Sequence, residues 1–175
     1  MNRQEKWDKR FLRLSEEIST WSKDPSTKVG AVIVRDINKI VSVGYNGFDE
    51  DDPDLPEHYA DRSIKYPKII HAERNAINNH PSNRKRKILL EKLGIDVTFY
   101  DSCKGCTIYT TPFPPCNSKH RGAGCTDLII ESGIVRVVSY KPTEAQYERW
   151  GESFESSSKK FDDAGVEFVL YEGET

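Results

Sequence analysis

His71-Ala72-Glu73, with Pro115-Cys116 and then Cys125 far downstream, brings together one imidazole, two thiols and a spare carboxylate. A catalytic Zn²⁺ takes three protein ligands of this borderline-soft kind and leaves its fourth position to water. The carboxylate two residues beyond the imidazole is not needed as a ligand, which frees it to carry protons. His71 and Cys125 each stand where a helix is expected to begin, with Cys116 ahead of Cys125. Helix N-termini present free N–H groups and partial positive charge, and so favour thiolate over thiol. Zn²⁺ held there lowers the pKa of its water toward neutrality.

Eight residues, Asn117 to Gly124, separate the two cysteines. Closing a loop of that length costs about 1 kcal/mol or less relative to a shorter one, and Gly122 and Gly124 give it freedom. Two other ligand sets compete. His120 lies inside the eight-residue stretch and can replace a cysteine. Cys103-Lys104-Gly105-Cys106 can join Cys116 and Cys125 in a closed Cys₄ site, which would leave His71 and Glu73 with no metal to serve.

The chain of 175 residues is expected to form one domain, 1–175, with insertions near 80–102 and 117–124. Charged residues make up 31% but the net charge is only −2, which argues against wholesale binding of long nucleic acid. No apolar run is long enough for a membrane span, and Met1-Asn2-Arg3-Gln4-Glu5 lacks the core of a signal peptide. The four cysteines then read as thiols or metal ligands in a cytoplasmic protein.

Trp7, Phe11, Leu14, Ile18 and Trp21 recur at helical spacing, and Asp24-Pro25 ends that helix. Val29–Val34 and Ile40–Val43 are β-branched runs around Asp36-Ile37-Asn38-Lys39, a hairpin pattern. Tyr45-Asn46-Gly47 leads into a long acidic loop, Asp49–Asp54, before helical character returns at His71–Asn79. Arg84–Leu93 reads as a short extra helix. Strands are expected at Thr107–Thr111, Ile134–Ser139 and Val166–Tyr171, with a helix at Cys125–Ser132 and another behind a capping box at Thr143. Strands alternating with helices predict a three-layer α/β/α sandwich with a mixed five-stranded sheet.

His-x-Glu followed by Pro-Cys and a second cysteine is the arrangement of the zinc nucleobase deaminases, where two residues usually separate the cysteines. Around it, Lys23-Asp24-Pro25-Ser26-Thr27-Lys28-Val29-Gly30-Ala31, Gly44-Tyr45-Asn46-Gly47-Phe48 and Lys65-Tyr66-Pro67 running into His71-Ala72-Glu73 resemble the deoxycytidylate (dCMP) deaminases of the cytidine-deaminase superfamily. The resemblance covers roughly Trp7 to Leu170. It implies the same α/β/α fold and zinc-dependent hydrolysis of dCMP to dUMP with release of ammonia. It implies His71, Cys116 and Cys125 as zinc ligands and Glu73 as the proton carrier. Asn46, Lys28, Ala72 and Tyr140 are the candidate substrate contacts. The alternatives are a turn residue for Asn46, a solvated lysine in place of a phosphate contact for Lys28, and a core tyrosine in place of a base contact for Tyr140. Cys106 matches a structural position of the family.

The resemblance further implies a homo-oligomer, with hexamers common in the family, and dCTP or dTTP as effectors, with Mg²⁺ accompanying the triphosphate. The acidic Asp49-Glu50-Asp51-Asp52 replaces the glycine- and proline-bearing segment with which many members bind those effectors. Arg84-Lys85-Arg86-Lys87 offers either a phosphate grip or a solvated helix face. The 117–124 insertion would sit beside the metal and could favour a 5-substituted cytosine. Two rival functions remain: a deaminase of another cytosine or adenine compound, including tRNA adenosine, and a non-catalytic nucleotide sensor. The four acids after Phe48 speak against a nucleic-acid channel. Glu73 speaks against the sensor, because a structural zinc site needs no free carboxylate.

Overall fold

A computed structural model of the chain describes residues 1–49, 51–83, 102–117 and 124–173. The expected Arg84–Leu93 helix, the Arg84–Lys87 cations, His120 and most of the 117–124 insertion lie outside the described residues.

The sheet holds five strands in the order β2-β1-β3-β4-β5. They are β1 (Gly30–Arg35), β2 (Lys39–Tyr45), β3 (Thr107–Thr111), β4 (Arg136–Tyr140) and β5 (Glu167–Tyr171). β1 runs antiparallel to both β2 and β3, whereas β3, β4 and β5 are parallel. Parallel neighbours need crossover helices. Those are α5 (Cys125–Glu131), between β3 and β4, and α6 (Glu144–Asp163), between β4 and β5. Every residue of β3 is buried, as a central strand covered on both faces requires.

Six helices are described. α1 (Arg3–Ser19) opens with a capping box between Asn2 and Glu5 and lays Phe11, Leu12 and Ile18 on one face of the sheet, against Val32, Val34, Tyr109 and Val138. Trp21 falls beyond the helix end and is exposed, its ring edge-on to Tyr45 at 6.1 Å. The opposite face of the sheet carries α4 (Ala72–Asn78), α5 and the Phe161 side of α6, packed on Ala31, Ile33, Ile108 and Val137. The three layers are those the alternation of elements predicts. The Thr143–Gln146 capping box of α6 is formed as expected.

α2 (Pro56–Ala60) and α3 (Arg62–Lys68) are two short helices in a stretch to which the sequence reading gives no element, between the Asp49–Asp54 loop and His71. Ion pairs tie this segment down: Lys23 to Asp54 at 2.6 Å and Lys68 to Asp52 at 2.7 Å. Its far end is sewn to the end of the hairpin by reciprocal backbone bonds between Gly47 and Ile70, of 3.1 and 2.8 Å. His71 follows directly.

Two further features fix the layers. Asp8 of α1 is wholly buried and takes five donated hydrogen bonds. They come from Gln4, from Tyr109 on β3, from Arg136 on β4 twice, and from Tyr171 on β5. Gly44 on β2 lets α4 come close enough that a Cβ there would stand 2.2 Å from the amide N of Ala76 and 2.5 Å from the carbonyl O of Ala72. Both are rigid backbone atoms. Gly44→Ala is therefore expected to push α4 off the sheet and cost about 1–3 kcal/mol or more, read as a fall in thermal midpoint, with a parallel loss of activity because His71 and Glu73 ride on that helix.

Candidate metal centre and substrate cavity

His71 is the N-cap of α4, in extended backbone geometry, so its ring leaves the helix axis instead of following it. Cys125 is the first residue of α5, behind the N-cap Gly124. Cys116 lies on the loop that follows the carboxyl end of β3. These three elements converge. His71 Nδ1 lies 3.3 Å from Cys116 Sγ and 3.3 Å from Cys125 Sγ, and the ligand atoms of all three lie within 4.8 Å of one another. Among the described residues this is the one group of three or more His, Cys, Asp or Glu side chains with metal-binding geometry.

Glu73, the second residue of α4, is only 3% exposed. Its Oε1 lies 3.5 Å from Thr110 Oγ1, a weak contact, and Oε2 has no hydrogen-bond partner among the described residues. Burial, then the charge of Cys116, pushes the Glu73 carboxyl above its ordinary range. Cys125 is pushed well up by its hydrogen bond with Cys116 and by burial. Burial works against a charged His71, but the adjoining Cys116 outweighs it and raises the imidazole to about 8. Three groups that would each carry negative charge crowd one buried spot, and a buried carboxylate oxygen stands unpaired. A divalent cation with two thiolate ligands and one imidazole answers both conditions. The residues fit Zn²⁺.

Cys103 and Cys106 are not part of this group. Both are fully buried in the apolar core with Ile108 and Ile134, and burial pushes the Cys103 thiol up to about 11. That placement removes the Cys₄ alternative.

A cavity of about 490 Å³ opens over the group, with His71, Ala72, Glu73 and Cys116 in its lining. Its size falls in the range of small-molecule sites. One wall is the Asp24–Thr27 turn with Asn46; a second is Tyr59, Arg62, Lys65 and Tyr66; a third is Phe113 with Arg149, Trp150, Ser153 and Phe154 of α6. Phe113 and Trp150 pack at 4.9 Å, and the Arg149 guanidinium sits 4.5 Å above the Trp150 ring.

Of the expected substrate contacts, Ala72 and Asn46 line the cavity. Asn46 is committed to the turn beside it: its Oδ1 accepts from the Val29 N–H at 2.8 Å, and its amide donates to the Thr27 carbonyl at 2.8 Å. Asp24 is held by the Lys65 ammonium at 2.7 Å. Lys28 is not in the lining; its ammonium donates to the Ser22 carbonyl at 2.6 Å, beyond the end of α1, which draws it away from the site. Tyr140 is likewise outside it, packed with the α1-side core. The cavity's own cations are Arg62, Lys65 and Arg149. None of the three was evident from sequence. Arg62 and Arg149 make no ion pair among the described residues, whereas Lys65 is spent on Asp24 and Ser26.

Residues 5–141 match the model of the cytidine and deoxycytidylate deaminase zinc-binding region. The chain belongs to the cytidine and deoxycytidylate deaminase family. Members of this family are hydrolases, and the chain is an enzyme of that class. It is 41% identical to an uncharacterized deaminase of the luxG 3′ region of Aliivibrio fischeri, over 93% of this chain and 91% of that one. It is 34% identical to human deoxycytidylate deaminase, over 93% of this chain and 78% of the human protein. Its fold matches the apo dCMP deaminase of cyanophage S-TIM5 with a TM-score of 0.59 at 18% identity, covering 95% and 98% of the two chains. No helix among the described residues is long and apolar enough to cross a membrane.

Proposed function

We propose that the chain deaminates dCMP to dUMP by zinc-dependent hydrolysis, releasing ammonia. The observation that carries the reading is the convergence of His71, Cys116 and Cys125 on one point, with a buried, half-unpartnered Glu73 carboxylate in the same cavity lining. Bound by those three side chains, Zn²⁺ would supply a Lewis acid and a water of near-neutral pKa. Glu73 takes a proton from the attacking water on Oε2, the oxygen without a partner, and delivers it to the ring nitrogen; it then takes the second proton from the added hydroxyl and passes it to the amine, which leaves as ammonia. Its raised pKa suits a carboxyl that must both gain and lose a proton. Phe113 and Trp150 supply flat apolar surface for the base. Arg62 and Arg149 take the phosphate, in place of Lys28, whose ammonium is held by the Ser22 carbonyl.

The test is ammonia release from zinc-loaded protein with dCMP, CMP, deoxycytidine, cytosine, 5-methyl-dCMP and adenosine. Hydrogen bonds to a charged group contribute about 1.5–3 kcal/mol each. Two guanidinium contacts therefore place dCMP about 100-fold or more above deoxycytidine in kcat/KM. Equal rates on the two would remove the phosphate from the reading, and turnover of adenosine alone would move the substrate class. Regulation by dCTP and dTTP with Mg²⁺, and a homo-oligomer, belong to the same proposal. The panel repeated with each triphosphate and a light-scattering mass test them.

A further inference from the structure

We infer that one polar row of α6, Ser153, Ser156, Ser157 and Lys160, positions the two thiol ligands across their eight-residue separation. The inference rests on the reading that His71, Cys116 and Cys125 hold Zn²⁺. A two-residue spacer keeps paired cysteines close by its length alone; an eight-residue spacer allows a far wider separation, so something else must set the distance. The structure shows what does.

The row stands at helical offsets 0, 3, 4 and 7, one face of the helix. Each member bonds to a residue next to a ligand. The Ser153 hydroxyl accepts from the Asn117 N–H at 2.9 Å, and the Ser156 hydroxyl from the Asn117 amide at 3.0 Å. Asn117 directly follows Cys116. Thr126, which directly follows Cys125, donates to Ser157 Oγ at 2.7 Å. Ser157 in turn donates to the Ser153 carbonyl at 2.8 Å, and both Thr126 and Ser157 are fully buried. Lys160 spans the gap: its ammonium donates to Asn117 Oδ1 at 3.1 Å and also to Asp127 Oδ1. Asn117 opens the insertion and Asp127 lies beyond its end.

The two ends of the insertion also touch. A Cβ on Gly124 would stand 2.9 Å from Asn117 Oδ1 and 3.1 Å from the Asn117 carbonyl. Residues 117 and 124 therefore meet with no room for a side chain between them. The thiols are held by α6 and this closed stem, not by the length of chain between them.

Groups that orient metal ligands through hydrogen bonds typically hold 10–100-fold of the metal affinity. Lys160→Met is expected to weaken Zn²⁺ binding by about that factor in competition with a chromophoric chelator, and to dim the tetrahedral visible bands of the Co²⁺-substituted protein. Lys160→Arg, which keeps a cation with several donors, should recover most of the loss. Ser157→Ala should act in the same direction through Thr126. Thermal midpoints of the metal-free variants report fold separately. Zn²⁺ affinity and Co²⁺ spectra unchanged in both Lys160→Met and Ser157→Ala would overturn the inference and leave the metal reading standing. A wild-type chain that retains neither metal would overturn the metal reading, and the inference with it.

Discussion

Glu73→Gln is expected to cut dCMP turnover by about 10²–10⁴-fold, the range that general acid–base groups supply. The upper end is the expectation, because one carboxylate serves every transfer in the proposed sequence. The substitution is nearly isosteric. It keeps an oxygen facing Thr110 and leaves His71, Cys116 and Cys125 untouched. Zn²⁺ content should match the wild type. The metal-free thermal midpoint should hold or rise, since a neutral amide avoids the burial that lifts the Glu73 pKa. Single-turnover kinetics with measured zinc content distinguishes this outcome from simple damage. A fully loaded variant retaining more than about a tenth of wild-type turnover would remove Glu73 from proton transfer, against the minimum expected of such a group.

Asp8→Ala should be the most destabilising single change in the α1 layer. Removing one member of a buried ion pair leaves the other uncompensated and costs about 3–5 kcal/mol. Here Arg136 loses a two-pronged partner, at 2.9 and 2.8 Å, and Tyr109 and Tyr171 lose theirs as well. For a chain of this size that is a fall of about 6–20 °C in thermal midpoint. Activity per folded molecule should survive, because Asp8 lies on the sheet face opposite α4. The same carboxylate gives stability an acid limit. Burial alone raises the Asp8 pKa, yet the hydrogen bonds from Arg136, Gln4, Tyr109 and Tyr171 outweigh it and hold the value below its ordinary 3.8. A carboxyl depressed in the folded state contributes its stability above the unfolded pKa and loses it as pH falls through the folded value. In acid titrations, Asp8→Ala should therefore show a shallower loss of stability below about pH 4 than the wild type.

Much of the fold is legible in the residues because local signals agree with it. Thr107–Thr111 reads as a strand bounded by Pro112, and it is β3 with the same ends. Thr143 and Gln146 announce α6 by their capping box. The strands flanking Asp36-Ile37-Asn38-Lys39 come out within one or two residues of their expected ends. α2 and α3 are hidden because five to seven residues are too few to show a period, and Pro67 lies inside the second. At the site, His71, Glu73, Cys116 and Cys125 are legible because metal chemistry restricts residue type. Lys28 has suitable chemistry for a phosphate, but the nearby Ser22 carbonyl claims its ammonium, and no residue type reveals that. Arg62, Arg149 and Trp150 become neighbours of the site only through packing of α3 and α6. One signal was open to reading: a helix with a buried face has no reason to set Ser153, Ser156, Ser157 and Lys160 in register unless that side meets polar structure.

The packing of Trp150 against Phe113 has an optical side. The chain has three tryptophans, and only Trp150 lines the cavity. Trp7 sits beneath the Arg10 guanidinium on α1, and Trp21 faces solvent beside Tyr45. An occupant of the cavity thus alters the surroundings of one indole and leaves the other two as an internal reference. The molecule carries its own gauge of occupancy, one that needs no label and no turnover to be read.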